Sequence, residues 1–558
     1  MKKIRLGAGI LIAFLLFAIA GVVYFILLGQ WHTAAYAAGN SNEVSVFRIA
    51  EPKEGEEPAP EEAGKVIRGS EVMKYLQNVT VDGVTYNKIS SDAFSDEQDL
   101  YMEESSLADN LSETVKETEV FARSPATIYK TAGEPDIASF APKGTHLKVT
   151  GHDRLLDNGY INMYKVLYEN SKGKEKEGYV YGKYMTGTQE AADAPYNENG
   201  EYDTASEDGF RFELYGGEAK DLDFYPYERT QIEGNEFLKY ARAMYLNAWA
   251  AVNPDDYIEV IKSSGCNAVV IDIKDGPLAY KSEVARELSP ASYENAYASM
   301  EDMKAGIQKY RDAGVYLVGR IVTFNDPYYA EDHPEDCIEY GGSSGWPSAF
   351  SRNVWEYNVR LAREAVKEFG FNEIQFDYVR FPESTYEMSK SGKADFRNKY
   401  DETKGQAIQN FCFYAADQLR ESGAYISIDV FGESAYGYVT AYGQYWTAIS
   451  NIADAISAMP YTDHFDGDRP WADPYASVSR WAKRAEEMQG RLQSPAVART
   501  WITGYNTPHW APDTVYDEKM LRKQVKALED HGLDGGFIPW NALSDIGKYR
   551  QYQGIWNE

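Results

Sequence analysis

Two acids in the second half of the chain have the type and placement for bond hydrolysis. Asp377 closes the run Asn372-Glu-Ile-Gln-Phe-Asp377, in which Ile374 and Phe376 alternate with Glu373, Gln375 and Asp377, the pattern of a strand with one apolar and one polar face. Glu433 follows a second such run, Tyr425-Ile-Ser-Ile-Asp-Val-Phe431, and shares its parity with Asp429. Cleaving a glycosidic bond takes one carboxyl to protonate the leaving oxygen and another to attack or to activate water. Asp377 suits the nucleophile and Glu433 the acid and base. On adjacent strands about 4.8 Å apart, their carboxyls can approach the separation of about 5–5.5 Å that a retaining pair needs.

Other polar residues fall at the ends of neighbouring runs. Asp272, Lys274 and Asp275 follow one, Arg320 lies on the next, and Asp463 and His464 follow a later one. With Asp429, Tyr461, Trp501 and Trp540, the residues Asp272, Lys274, Arg320, Asp463 and His464 are the candidates for holding a substrate. Asp272 and Lys274 share a parity and are expected on one face. Each candidate also has a purely structural reading: Asp377 could pair with Arg320, Asp272 with Lys274, and Trp501 and Trp540 could pack rather than stack on sugars. His464 is one of seven histidines and could be an ordinary surface residue. No His, Cys or acid set has metal-ligand spacing, so no metal and no cofactor are assigned.

The elements that must position these residues alternate strand and helix. Strand candidates are 243–247, 268–275, 315–324, 372–382, 425–431, 455–461, 499–505 and 535–540, with amphipathic helices between them such as Met300 to Asp312 and Val354 to Phe369. Eight such repeats within 209–558 predict an α/β fold, a (β/α)8 TIM barrel, whose carboxyl-end loops carry the chemistry.

The first half is organised differently. A basic start, 1–5, precedes an uncharged apolar run, 6–28, long enough for a transmembrane helix or signal anchor. This predicts a single-pass cell-membrane protein with its bulk outside, or a secreted one if the segment is cleaved. Residues 40–65 are rich in Glu and Pro and read as a solvated tether, 66–117 remain unassigned, and 188–208 form a second acidic linker. Between them, 118–187 has short strands at close spacing, a small all-β unit. The net charge of −30 disfavours nucleic acid and favours a neutral or cationic partner. Three cysteines, Cys266, Cys337 and Cys412, are too few and too sparse for a disulfide framework.

Two resemblances attach to these motifs. The 118–187 unit, with Arg123-Ser124, Lys143-Gly-Thr145 and Gly178-Tyr-Val-Tyr-Gly-Lys-Tyr184, resembles the bacterial SH3-like domain, which implies a cell-envelope setting and a wall-peptide partner or a spacer role. The set Val269-Val-Ile-Asp-Ile-Lys-Asp275, Ile374-Gln-Phe-Asp-Tyr-Val-Arg-Phe-Pro382, Asp454-Ala-Ile-Ser-Ala-Met-Pro-Tyr461 and Gly536-Phe-Ile-Pro-Trp-Asn541 resembles the bacterial glycoside-hydrolase domain related to the α-amylase-type barrels. That resemblance implies a polysaccharide or oligosaccharide substrate, with Asp377 as nucleophile and Glu433 as proton donor. The chain departs from it twice. Met459-Pro-Tyr-Thr-Asp-His-Phe465 carries Asp463 where Ser is usual, and Trp501-Ile-Thr-Gly-Tyr-Asn506 lacks the strand-seven acid. The missing acid keeps a second reading open, a glycan- or wall-binding scaffold without turnover. A metal-dependent hydrolase built on Asp272, Asp275 and His464 is a weaker third.

Overall fold

The computed structural model describes residues 32–49, 59–95, 99–170, 172–194, 213–229, 231–465, 469–506 and 514–557. The basic start, the apolar segment 6–28 and most of the second linker lie outside them. Among the described residues no helix is long and apolar enough to cross a membrane. Contacts divide the described residues into two compact units, one drawn from Met1–Ser124 and Ala141–Ala194, the other from Pro125–Phe140 and Pro195–Glu558.

In the first unit, both ends of the stretch expected to be a tether supply strands, while its centre, 50–58, lies outside the described residues. Glu43–Ile49 pairs antiparallel with Pro60–Ile67 in a seven-stranded sheet that also takes in His32–Ala37, and residues 66–117 complete it. The reason lies in alternation that average composition hides. Val44, Val46 and Val66 pack with Ala35, Val72, Ile89 and Met102, while Glu61 and Glu62 stay exposed. Further along, Glu119–Ala122, His146–His152, Met163–Glu169 and Glu175–Tyr181 pair antiparallel as short strands.

The second unit is a parallel α/β barrel. Its strands are β1 (Ala241–Leu246), β2 (Ala268–Lys274), β3 (Tyr316–Val322), β4 (Glu373–Asp377), β5 (Tyr425–Phe431), β6 (Ala455–Met459), β7 (Val497–Ala498 and Thr500–Thr503) and β8 (Gly536–Trp540). Each pairs in parallel with its neighbours, β8 returns to β1, and the two halves of β7 pair with β6 and β8 respectively. The break in β7 falls at Arg499, whose buried guanidinium donates to Glu373 and to the Leu238 carbonyl and so joins β7 to β4 across the lumen floor. Above that floor the lumen is packed by Ala243, Tyr245, Val270, Val318, Trp501 and Ile538.

Helices face the outside of the barrel. Arg352–Phe369 buries one face and ends at Gly370, whose left-handed φ of 66° stops it three residues before β4 begins. Lys404–Glu421 starts with a capping box between Thr403 and Gln406 and leads into β5. These two helices lead into the strand that ends at Asp377 and the strand that precedes Glu433.

Candidate active site

At the carboxyl end of the barrel a single guanidinium organises the acids. Arg320 donates through Nε and Nη2 to Asp377 Oδ2 at 3.1 and 2.6 Å, and through Nη1 to Asp272 Oδ1 at 2.7 Å. Asp275 and Asp429 stand within 3.7 and 3.9 Å of it. Its planar face lies 5.4 Å from the Trp540 ring centre and 5.8 Å from that of Tyr245, so the cation is held by aromatic faces as well as by carboxylates. Burial alone would lower the Arg320 pKa, but the pull of Asp272 and Asp377 outweighs it and keeps the charge on the guanidinium.

The acids around Arg320 differ in state. Burial, opposed by Arg320, raises Asp272 to about 6, and the Tyr245 hydroxyl donates to its Oδ2. Burial and then the charge of Asp377 push Asp429 well above the usual carboxylate range, and the Trp501 indole N–H donates to its Oδ1 at 2.9 Å. Asp377 Oδ1 accepts from the Tyr378 amide at 2.6 Å. Tyr378 itself has φ 52°, a left-handed conformation costly for a large side chain, and strain of this kind concentrates at functional sites.

Glu433 is held by different means. Past the end of β5 it sits half-buried on a 3-10 turn, Gly432–Ala435, where its oxygens accept from Tyr438 at 2.7 Å and Tyr442 at 2.8 Å. The loop that carries these tyrosines is stitched to both strands by the buried Gln444. Its Oε1 accepts from the Phe431 amide, and its Nε2 donates to the Val379 and Asp429 carbonyls. Phe381 N–H donates in turn to the Tyr442 carbonyl. The loops after β4 and β5 are thus one hydrogen-bonded assembly.

The remaining candidates separate. Lys274 does not share a face with Asp272, because a bulge between them sets Asp272 opposite Arg320 and Lys274 opposite Ile321. Lys274 is buried with Asp326 at 2.6 Å and Asn358 at 2.8 Å, away from the acid cluster, so the expected Asp272–Lys274 pair does not form. Trp501 is only 1% exposed and packs against Tyr245 and Trp540, which leaves it no free face for a sugar. Trp540 is partly exposed. Tyr461 lies at the lumen mouth, its ring centre 5.6 Å from that of His464. Asp463 Oδ1 accepts from His464 Nδ1 at 2.9 Å and from Tyr505 at 2.6 Å, and that bond to Asp463 raises the His464 pKa. Arg380 is buried beside Glu383 under the Phe431 and Tyr378 rings.

Sequence reasoning missed Tyr245, Tyr438, Tyr442 and Gln444. The run Tyr436-Gly-Tyr-Val-Thr-Ala-Tyr442 just after Glu433 was the available signal. Among the described residues, His333, Glu335 and Asp336 bring metal-type ligand atoms within 4.8 Å of one another. Both oxygens of Asp336 already accept from Tyr329, Ser351 and Asn353, so the group is committed to structural hydrogen bonds. All three cysteines are buried and unpaired.

Fold and site together define a parallel α/β barrel with a carboxylate-lined mouth at the carboxyl ends of its strands. Residues 243–545 match the family described as "Putative glycosyl hydrolase domain", which spans more than half of the chain, and the chain belongs to that family. No curated protein matches it. Among solved structures, a hypothetical protein from Ruminiclostridium thermocellum is 27% identical over 35% of this chain and 99% of its own, with a TM-score of 0.28. The glycoside hydrolase domain of PgaB from Bordetella bronchiseptica is 12% identical over 57% of this chain and 99% of its own, TM-score 0.40. A chitinase from Pseudoalteromonas aurantia is 11% identical over 56% of this chain and 100% of its own, TM-score 0.35.

Proposed function

We propose that the protein is an exported, membrane-tethered glycoside hydrolase that cleaves a cell-surface or environmental polysaccharide, with Asp377 as nucleophile and Glu433 as acid and base. The observation that carries this reading is the pairing of two differently held carboxyls on hydrogen-bonded loops. Asp377 is fixed against the Arg320 guanidinium at the strand end, and half-buried Glu433 stands on the neighbouring loop. A nucleophile must be ionised and fixed, whereas an acid and base must exchange protons with substrate and water. Tyr461, Trp540, Asp463 and His464 border the same mouth and are the groups we assign to substrate contact. The apolar run at 6–28 supports the tether, and the short-stranded 118–187 unit, by its SH3-like sequence motifs, supports a cell-wall peptide partner.

The test is release of reducing ends from a panel of glycans. The wild-type chain should act on at least one, and Asp377→Asn should lower that rate by about 10⁴-fold or more with the fold intact by circular dichroism. Equal release by both proteins would end the assignment. The absent strand-seven acid favours a second reading, a glycan-binding scaffold. Saturable binding with no product from any glycan would select it.

A further inference from the structure

Below the acid cluster, the lumen holds three polar atoms that have no hydrogen-bond partner among the described residues: Gln375 Oε1, Ser427 Oγ and Asp429 Oδ2. All three residues are fully buried. Gln375 of β4 is in register with Ser427 of β5, and Asp429 lies two residues further along the same face of β5. The Gln375 amide nitrogen is committed to Ser457 Oγ at 3.1 Å, and Ser457 is in register with Asp429. The three orphaned atoms therefore share one patch of two adjacent strands. Three buried polar atoms left without partners would weigh heavily against a fold of marginal stability.

We propose that this patch is a binding site for one water molecule, and that the water holds Asp429 as a neutral carboxyl beside Asp377. A single water satisfies all three orphaned atoms with one of its hydrogens to spare. It accepts from the Ser427 hydroxyl and from the protonated Asp429 Oδ2, and donates to Gln375 Oε1. A sodium ion fits less well, because the Arg320 charge stands 3.9 Å from Asp429 Oδ2. The groups facing Asp429 are Asp377, Arg320, Trp501, Glu373 and Tyr461, and burial together with Asp377 disfavours its ionised form. A neutral Asp429 leaves the Arg320 charge to Asp377 and Asp272. Asp429 is then a positioning residue. This role rests on the reading of Asp377 as the reacting acid, whereas the water site does not.

Two measurements on the full chain test the inference. A crystal structure resolving ordered waters should show a peak about 3 Å from each of the three atoms. Ser427→Val should remove that peak while the Arg320–Asp377 contact remains. A dry patch in the wild-type protein would overturn the site. Infrared difference spectra at neutral pH should show a protonated-carboxyl band that is lost in Asp429→Asn and kept in Asp272→Asn. A band indifferent to Asp429→Asn would overturn the neutral carboxyl. Absence of hydrolysis with water and band both present would instead refute the role of Asp377 and leave the site standing.

Discussion

The end of β4 and the loop after β5 each present an acid, but they hold it in opposite ways. Asp377 is fixed by a buried cation that also serves Asp272 and stands near two more acids, so its position depends on charges from three other strands and loops. Glu433 is fixed by two tyrosine hydroxyls from its own loop, five and nine residues further along. The contrast teaches that one carboxyl is built into the barrel and the other is mounted on it. Perturbing the first should be felt in the whole fold, and perturbing the second only at the mouth.

The largest effect should come from Arg320→Leu. Removing the cation leaves Asp377 and Asp272 buried without a countercharge, which costs about 3–5 kcal/mol of stability, read as a lower denaturant midpoint. A variant as stable as the wild type would erase the distinction between the two regions.

A smaller effect follows from Asp272. Its pKa is raised to about 6 in the folded state, so the native protein keeps a proton that the unfolded chain has released. Its contribution to stability is fully present below about pH 4 and is lost as pH rises through about 6, about 3 kcal/mol in all. Asp272→Asn should flatten the stability profile across that window, measured by denaturation at a series of pH values. Asp429 has the same sign. An unchanged slope would mean that Asp272 is not desolvated as its burial requires.

The smallest effect should be that of Tyr442→Phe. One of the two hydroxyls on Glu433 is removed, and hydrolysis should fall about tenfold with no change in the denaturation midpoint. A loss of stability like that of Arg320→Leu would show the loop to be part of the core.

Much of the barrel was legible in the sequence because its signals are local. Alternation gave β4 and β5, the helix Met300–Asp312 fell where periodicity put it, and parity turned Asp272, Asp377 and Asp429 toward the lumen, where Arg320 meets them. Parity failed at Lys274, since a bulge adds a residue without leaving a mark in the pattern. Composition failed at 43–49 and 60–67, where frequent Glu and Pro nearby concealed alternating valines. Gln444 was out of reach for a different reason. Its three backbone partners at 379, 429 and 431 are joined to it only by the fold.

The central claim is that Asp377 and Glu433 act across one bond. A crystal structure of the protein with a bound oligosaccharide would measure the separation of their carboxyls directly. A retaining enzyme requires about 5–5.5 Å with the scissile oxygen between them, and that is the expected result. A separation well beyond about 9.5 Å would contradict it, since neither retaining nor inverting hydrolysis could then use this pair.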